Sequence, residues 1–88
     1  MRRTNINAVL KMTKAYLDGE IDQITYQLDF PHEVEQRYRK MCQEDAEYTE
    51  MLCYYLVECG TDCAAGLSEE DFRELIRKQY LEVLDGIY

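Results

Sequence analysis

Apolar residues recur along this chain at helical spacing, and no stretch shows the sustained alternation of a half-buried strand. Ile6, Val9, Leu10, Ala15, Tyr16 and Leu17 mark one face of a first amphipathic helix. Thr4 or Asn5 is placed to accept from the free amides at its start, and Gly19 to adopt the left-handed conformation that closes it. Asp22 is a good cap for a short second helix running to about Asp29, with Ile24, Leu28 and Phe30 as its apolar contacts and Ile21 as a hydrophobic staple. Pro31 lacks an amide donor and biases Phe30 away from helical geometry, so it either ends this helix or opens the next.

From His32 to Cys59 there is neither Gly nor Pro. Val34, Tyr38, Met41, Asp45, Tyr48, Leu52, Tyr55 and Cys59 alternate three- and four-residue steps, and Asp45 alone breaks the apolar series. The pattern favours one long helix, kinked where Gln43-Glu44-Asp45 interrupts the stripe; a full break near Gln43–Ala46 is the alternative. Unbroken, it would be about 42 Å long. Gly60 closes it, and Thr61–Leu67 forms a loop. Ser68-Glu69-Glu70-Asp71 reads as a capping box opening a last helix, with Phe72, Leu75, Ile76, Tyr80, Leu81 and Leu84 on its apolar face. Such stripes bury one another, so the expected fold is all-α: a single domain over 1–88, a small antiparallel bundle of four helices.

Charge is divided unevenly. Through Lys14 the chain carries four bases and no acid; from Ala15 onward it carries eighteen acids against six bases, and the whole has a net charge of −8. Direct binding to nucleic acid is disfavoured, because affinity for phosphates comes largely from Lys and Arg. Arg37, Arg39 and Lys40 do cluster, but Glu33, Glu35, Glu44 and Asp45 flank them, as in a lattice of intrahelical ion pairs. The apolar stretch behind Met1-Arg2-Arg3 is too short for a signal peptide, and no run approaches a membrane span, so a soluble cytoplasmic protein is expected.

Little in the sequence can carry catalysis. His32 is the only imidazole, and no motif supplies it with a nucleophile and an orienting partner. Cys42, Cys53, Cys59 and Cys63 read as free thiols; the spacing of Cys59 and Cys63 is a poor zinc pattern, and the acids around Gly19 do not continue into a calcium loop. We therefore expect no enzyme, metal or cofactor, but a protein whose function is binding another protein. The acids Glu44, Asp45, Glu47, Glu50 and Glu58 interleave with Tyr48, Tyr54 and Tyr55. A charge run of this kind is ordinarily a solvated helix face, yet tyrosine is enriched at interfaces. Tyr55 and Tyr48 fall on the apolar stripe, whereas Tyr54 falls off it and is the better candidate for an exposed contact.

The segment Tyr16-Leu17-Asp18-Gly19-Glu20-Ile21-Asp22, followed by Tyr26, resembles the phrase Phe-Leu-x-Gly-x-Ile-Ser-x-x-x-Phe that opens immunity proteins of the colicin D type. The order of later features is similar: a Tyr/Arg-bearing helix, a helix ending in an acid, an Asp-bearing loop, and the capped Ser-Glu-Glu-Asp-Phe-Arg helix. The likeness spans roughly Val9 to Leu84; Asp22 in place of Ser, Pro31 and the four cysteines depart from the pattern. The resemblance implies a four-helix antiparallel bundle. It further implies binding to the tRNA-cleaving domain of a cognate toxin, with acids standing in for substrate phosphates at its basic active site. By order along the chain the matching positions are Glu58 and Asp62, with Glu47 and Glu50 extending the surface and Glu44 and Tyr54 beside it. The free protein is expected to be a monomer or weak dimer. Two other readings fit the composition: a phage-encoded acidic inhibitor of a nucleic-acid-processing complex, akin to an anti-CRISPR, and a helical oligomerisation subunit.

Overall fold

The computed structural model describes residues 3–85, and Arg2, part of the basic N-terminus, lies outside them. Among the described residues the chain is all-α, with helices α1 (Thr4–Leu17), α2 (Gln23–Cys53) and α3 (Glu69–Asp85). A π-helical turn, Tyr54–Glu58, continues α2, and a 3₁₀ turn, Thr61–Cys63, comes after it. No helix among them is long and apolar enough to cross a membrane.

Local signals place the helix ends. At the end of α1, Gly19 has φ +86°, its amide donates to the Tyr16 carbonyl (3.1 Å), and the Glu20 amide donates to Ala15 (2.8 Å). That is the Schellman pattern, which gives orphan carbonyls their partners. Asp22 caps α2, its carboxylate accepting from the Thr25 amide at 2.7 Å. Ser68 caps α3 by accepting from the Asp71 amide at 3.1 Å.

The second helix differs from expectation. It does not end before Pro31 but runs through it, so the expected short helix and the long one are a single element of 31 residues. Three α-helices result. Straight, α2 would measure about 46 Å, longer than the protein's greatest dimension of 38 Å. It fits because it is broken at Asp45, whose backbone is extended (φ −167°, ψ 99°). The Asp45 carboxylate accepts from the Tyr48 amide at 3.0 Å, which makes Asp45 the N-cap of a second helical arm. The one polar residue in the apolar stripe thus ends one arm, 23–44, and starts another, 46–58.

The arms pack antiparallel to their neighbours. The start of α1 lies against the end of the first arm, where Asn5 meets Glu44 and Arg37, and its later part lies against the start of that arm, where Thr13 meets Tyr26. The second arm runs against α3, with the Tyr48 hydroxyl donating to the Val83 carbonyl at 3.1 Å and Gln79 reaching the Cys59 carbonyl. Aromatic rings hold the centre. Tyr16 stacks on Tyr26 at 4.6 Å, Tyr26 on Phe30 at 4.8 Å, and Phe72 tilts against Tyr16 at 5.8 Å, so one cluster joins all three helices. Tyr26 is fully buried and its hydroxyl pairs with Thr13 at 2.8 Å. Tyr26→Phe is expected to lower stability by about 1 kcal/mol, the net worth of a buried hydrogen bond; an unchanged urea midpoint would mean that the pair contributes nothing.

Burial also corrects several apolar positions. Ile24 and Leu28, expected as core contacts, are 71% and 69% exposed, because Tyr26 and Phe30 take the inward face. Tyr38 and Leu81 are exposed as well. Beyond Leu52 the inward position is Leu56 rather than Tyr55, which is half-buried.

Candidate functional site

Nine acids and no base lie between Lys40 and Arg73. The structure divides them into three groups. Glu44 and Asp45, at the break in α2, are committed within the chain. The Glu44 carboxylate accepts from the Asn5 amide (2.9 Å), the Ile6 amide (3.0 Å) and the Asn5 side-chain amide (2.8 Å). Neither Thr4 nor Asn5 caps α1 with its own side chain. An acid 39 residues away does so instead, supplying negative charge where the helix dipole favours it. Arg3 forms an ion pair with Asp45 and lies 4.7 Å above the Tyr48 ring. Arg37 bridges the same corner, bonding the Asn5 side-chain oxygen (2.9 Å) and Glu33 (2.9 Å). Burial alone would raise the Glu44 pKa, but the two backbone amides, the Asn5 side chain and Arg3 together hold it below the usual carboxylate range. Glu44 is thus removed from the expected contact set, since its acceptor sites are already filled.

The second group is Glu69, Glu70 and Asp71 in the first turn of α3, where they complement the dipole. The third group is Glu47, Glu50, Glu58 and Asp62. All four are exposed, and none enters an ion pair among the described residues. Glu47, Glu50, Tyr54 and Glu58 succeed one another at steps of three and four, which puts them on one face of the second arm. Tyr54 is 52% exposed, stands edge-on to Tyr55, and lies between these acids. Its hydroxyl is held above the usual phenol range, first by the adjoining Cys59 thiol and further by Glu58. Asp62 is exposed in the 3₁₀ turn that follows.

Gly60 sets the junction between Glu58 and Asp62. It is buried at φ −118°, ψ −98°, with the Leu56 carbonyl so near that a Cβ there would lie 2.2 Å from its oxygen. The chain reverses against α3 at this point, and Glu58 and Asp62 lie on either side of the reversal.

Other chemistry is sparse. The four cysteines are free, and burial, reinforced by Cys42 and Glu58, pushes the Cys53 thiol up to about 11. His32 is exposed and shares a 2.9 Å hydrogen bond with Gln36. Among the described residues no group of three metal-ligating side chains converges.

Of the six residues expected at the site, Glu47, Glu50, Tyr54 and Glu58 fall by spacing on one exposed face of the second arm, Asp62 is exposed in the 3₁₀ turn that follows, and Glu44 is bonded to the start of α1. The cap formed by Glu44 had no local signal, because its partners are a full helix and a loop away. No protein-family model, curated protein or solved structure matches this chain.

Proposed function

We propose that this protein is a non-enzymatic inhibitor that binds a basic, phosphate-binding cleft of a nuclease toxin and neutralises it by occupying that cleft. The observation that carries the reading is the set of Glu47, Glu50, Glu58 and Asp62: exposed, unpaired among the described residues, and grouped around an exposed tyrosine. Among the described residues Glu33, Asp45 and Asp18 are paired with bases, whereas these four are not. Exposed carboxylates of this kind suit a basic cleft by charge. The resemblance to colicin D-type immunity proteins gives the same surface through Glu58 and Asp62. A cytoplasmic location fits the role, since RNA substrates of such a toxin are found there.

The test is affinity purification under native conditions, with the bound protein identified and its binding measured against charge-reversed variants. A partner with a basic nuclease domain is expected, and binding weakened at least ~10-fold by Glu58→Lys with Asp62→Lys, since desolvated charge pairs couple by about 1.5–7 kcal/mol. The wild-type on-rate is expected to fall as salt rises. Unchanged binding by the doubly reversed variant, with helicity intact, would remove the assigned surface.

A further inference from the structure

Two of the four free cysteines stand at the reversal between Glu58 and Asp62. Cys59 follows the π-helical turn, and Cys63 ends the 3₁₀ turn. Main-chain bonds fix both positions. The Cys59 amide donates to the Tyr54 carbonyl at 2.8 Å, and the Cys59 carbonyl accepts from the Gln79 side chain of α3 at 3.3 Å. The Cys63 amide donates to the Gly60 carbonyl at 2.9 Å, and Gly60, Thr61 and Ala64 are buried. A free cysteine ordinarily behaves as a small buried hydrophobe. Cys59 is half-buried, but Cys63 is exposed, so packing does not account for it.

The Cys63 thiol donates to the Glu58 carbonyl at 3.2 Å. That carbonyl belongs to the peptide unit that leads into Cys59. The dimensions of a planar peptide therefore bring the Cys63 sulfur within about 6 Å of the Cys59 Cα. The Cys59 thiol in turn adjoins the Tyr54 hydroxyl. Each thiol thus holds a residue of the exposed face, Cys63 through the Glu58 main chain and Cys59 through the Tyr54 ring. The other two cysteines are placed differently. Cys42 and Cys53 lie on either side of the break in α2, both are half-buried, and burial pushes the Cys53 thiol up. Exchange with a dissolved disulfide needs an accessible sulfur, which favours Cys63 as the first to react.

We propose that Cys59 and Cys63 are a redox site: they close into a reversible disulfide on meeting a low-molecular-weight disulfide such as oxidised glutathione, and closure reshapes the segment from Glu58 to Asp62. The Cys63 thiolate attacks one sulfur of the small disulfide, which expels one small thiolate and leaves a mixed disulfide. The Cys59 thiolate then attacks the Cys63 sulfur and expels the second. The two cysteine protons end on the two released small thiols. The cysteine pair is oxidised by two electrons and the small disulfide is reduced by two; a small dithiol reverses the exchange. Closure draws the Cys63 sulfur off the Glu58 carbonyl and the Cys59 sulfur off the Tyr54 hydroxyl, so both residues lose a contact that holds them. The consequence for a partner rests on the inhibitor reading. The oxidised chain is expected to bind the toxin at least ~10-fold more weakly, the scale of one lost interfacial charge pair.

The test exposes the full chain to glutathione disulfide, counts its free thiols, and cleaves it at glutamates. Two of the four thiols are expected to disappear, both from the peptide Cys59–Glu69, which becomes lighter by two hydrogens. Cys42 and Cys53 fall on other glutamate-bounded peptides, so a bond to either of them joins two peptides instead. Amide NMR signals of Tyr54, Glu58 and Asp62 are expected to move on oxidation while those of α1 stay in place, and dithiothreitol is expected to restore the first spectrum. Toxin binding by Cys59→Ser with Cys63→Ser is expected not to respond to the oxidant. Four surviving thiols, glutathione retained on Cys63, a bond elsewhere or between chains, or unmoved Glu58 and Asp62 signals would each overturn the redox site. Equal toxin affinities of the oxidised and reduced chains would overturn its effect on binding. Disulfide formation is read without any partner, so its failure is distinct from failure of the inhibitor reading.

Discussion

Glu44→Ala is expected to lower the unfolding free energy by about 2 kcal/mol, the upper end for loss of a helix cap and in the range for hydrogen bonds to a charged group. The substitution removes one carboxylate and leaves the Asn5 and Ile6 amides without their acceptor. It also takes away negative charge beside Arg3. The start of α1 and the break in α2 are held together at this corner, so both loosen at once. For a domain of this size the change corresponds to a fall in Tm of roughly 8–16 °C. Glu44→Gln separates charge from geometry, since the amide keeps one acceptor oxygen and loses the charge, and an intermediate Tm is expected. A thermal melt of Glu44→Ala within a degree of the parent would show that water replaces the carboxylate at no cost.

Acid makes the same point by titration. The folded Glu44 pKa is depressed below its ordinary value of 4.5. Its contribution to stability is accordingly complete above that value and is lost as pH falls through the lower folded pKa. Asp22, whose carboxylate accepts from the Thr25 amide, is depressed too and adds a contribution of the same sign. The difference in stability between parent and Glu44→Gln is therefore expected to be largest near neutral pH and to shrink as the solution is made more acidic than pH 4.5.

Gly60→Ala is expected to be more damaging, at about 3 kcal/mol, the upper end of what overpacking a dense interior costs. The new methyl would lie 2.2 Å from the Leu56 carbonyl oxygen, 2.7 Å from its carbon and 3.1 Å from the end of Ile76. Two of those atoms are the backbone of Leu56, so the clash is relieved only by changing the backbone between Leu56 and residue 60. Gly66→Ala is the natural control. Gly66 has φ +83° with nothing within 4 Å of an added Cβ, so only the left-handed strain of about 1–2 kcal/mol applies. Urea unfolding of the two variants should rank them in that order. Because Gly60 lies between Glu58 and Asp62, the inhibitor proposed above further predicts that its alanine variant binds the toxin more weakly than its residual folded fraction explains.

Some of these features were legible in the sequence. Gly19, Asp22 and Ser68 act through bonds that span three to five positions, and each forms the cap its residue type suggests. The polar cluster Gln43-Glu44-Asp45 marked where the stripe is interrupted but left a kink and a break both open; the extended backbone at Asp45, whose side chain caps the second arm, is what the structure adds. The exposed acids and Tyr54 were legible for a related reason, since they occupy the face of the second arm opposite its apolar stripe.

Contacts over longer separations decided the rest. Pro31 signals a helix end, yet the helix runs through it, and the neighbouring Phe30 is fully buried in the aromatic cluster with Tyr26. Ile24 and Leu28 look like core by composition but point outward, because two aromatic rings fill the space on the inner side. Glu44 belongs by sequence to the acidic run and by structure to the start of α1. Periodicity and capping are properties of a few neighbouring residues, so the chain itself specified helices, their ends and an acidic surface. Which stripe faces inward, and which acid is bonded within the chain, depends on what lies across the bundle, and only the packed structure determined that.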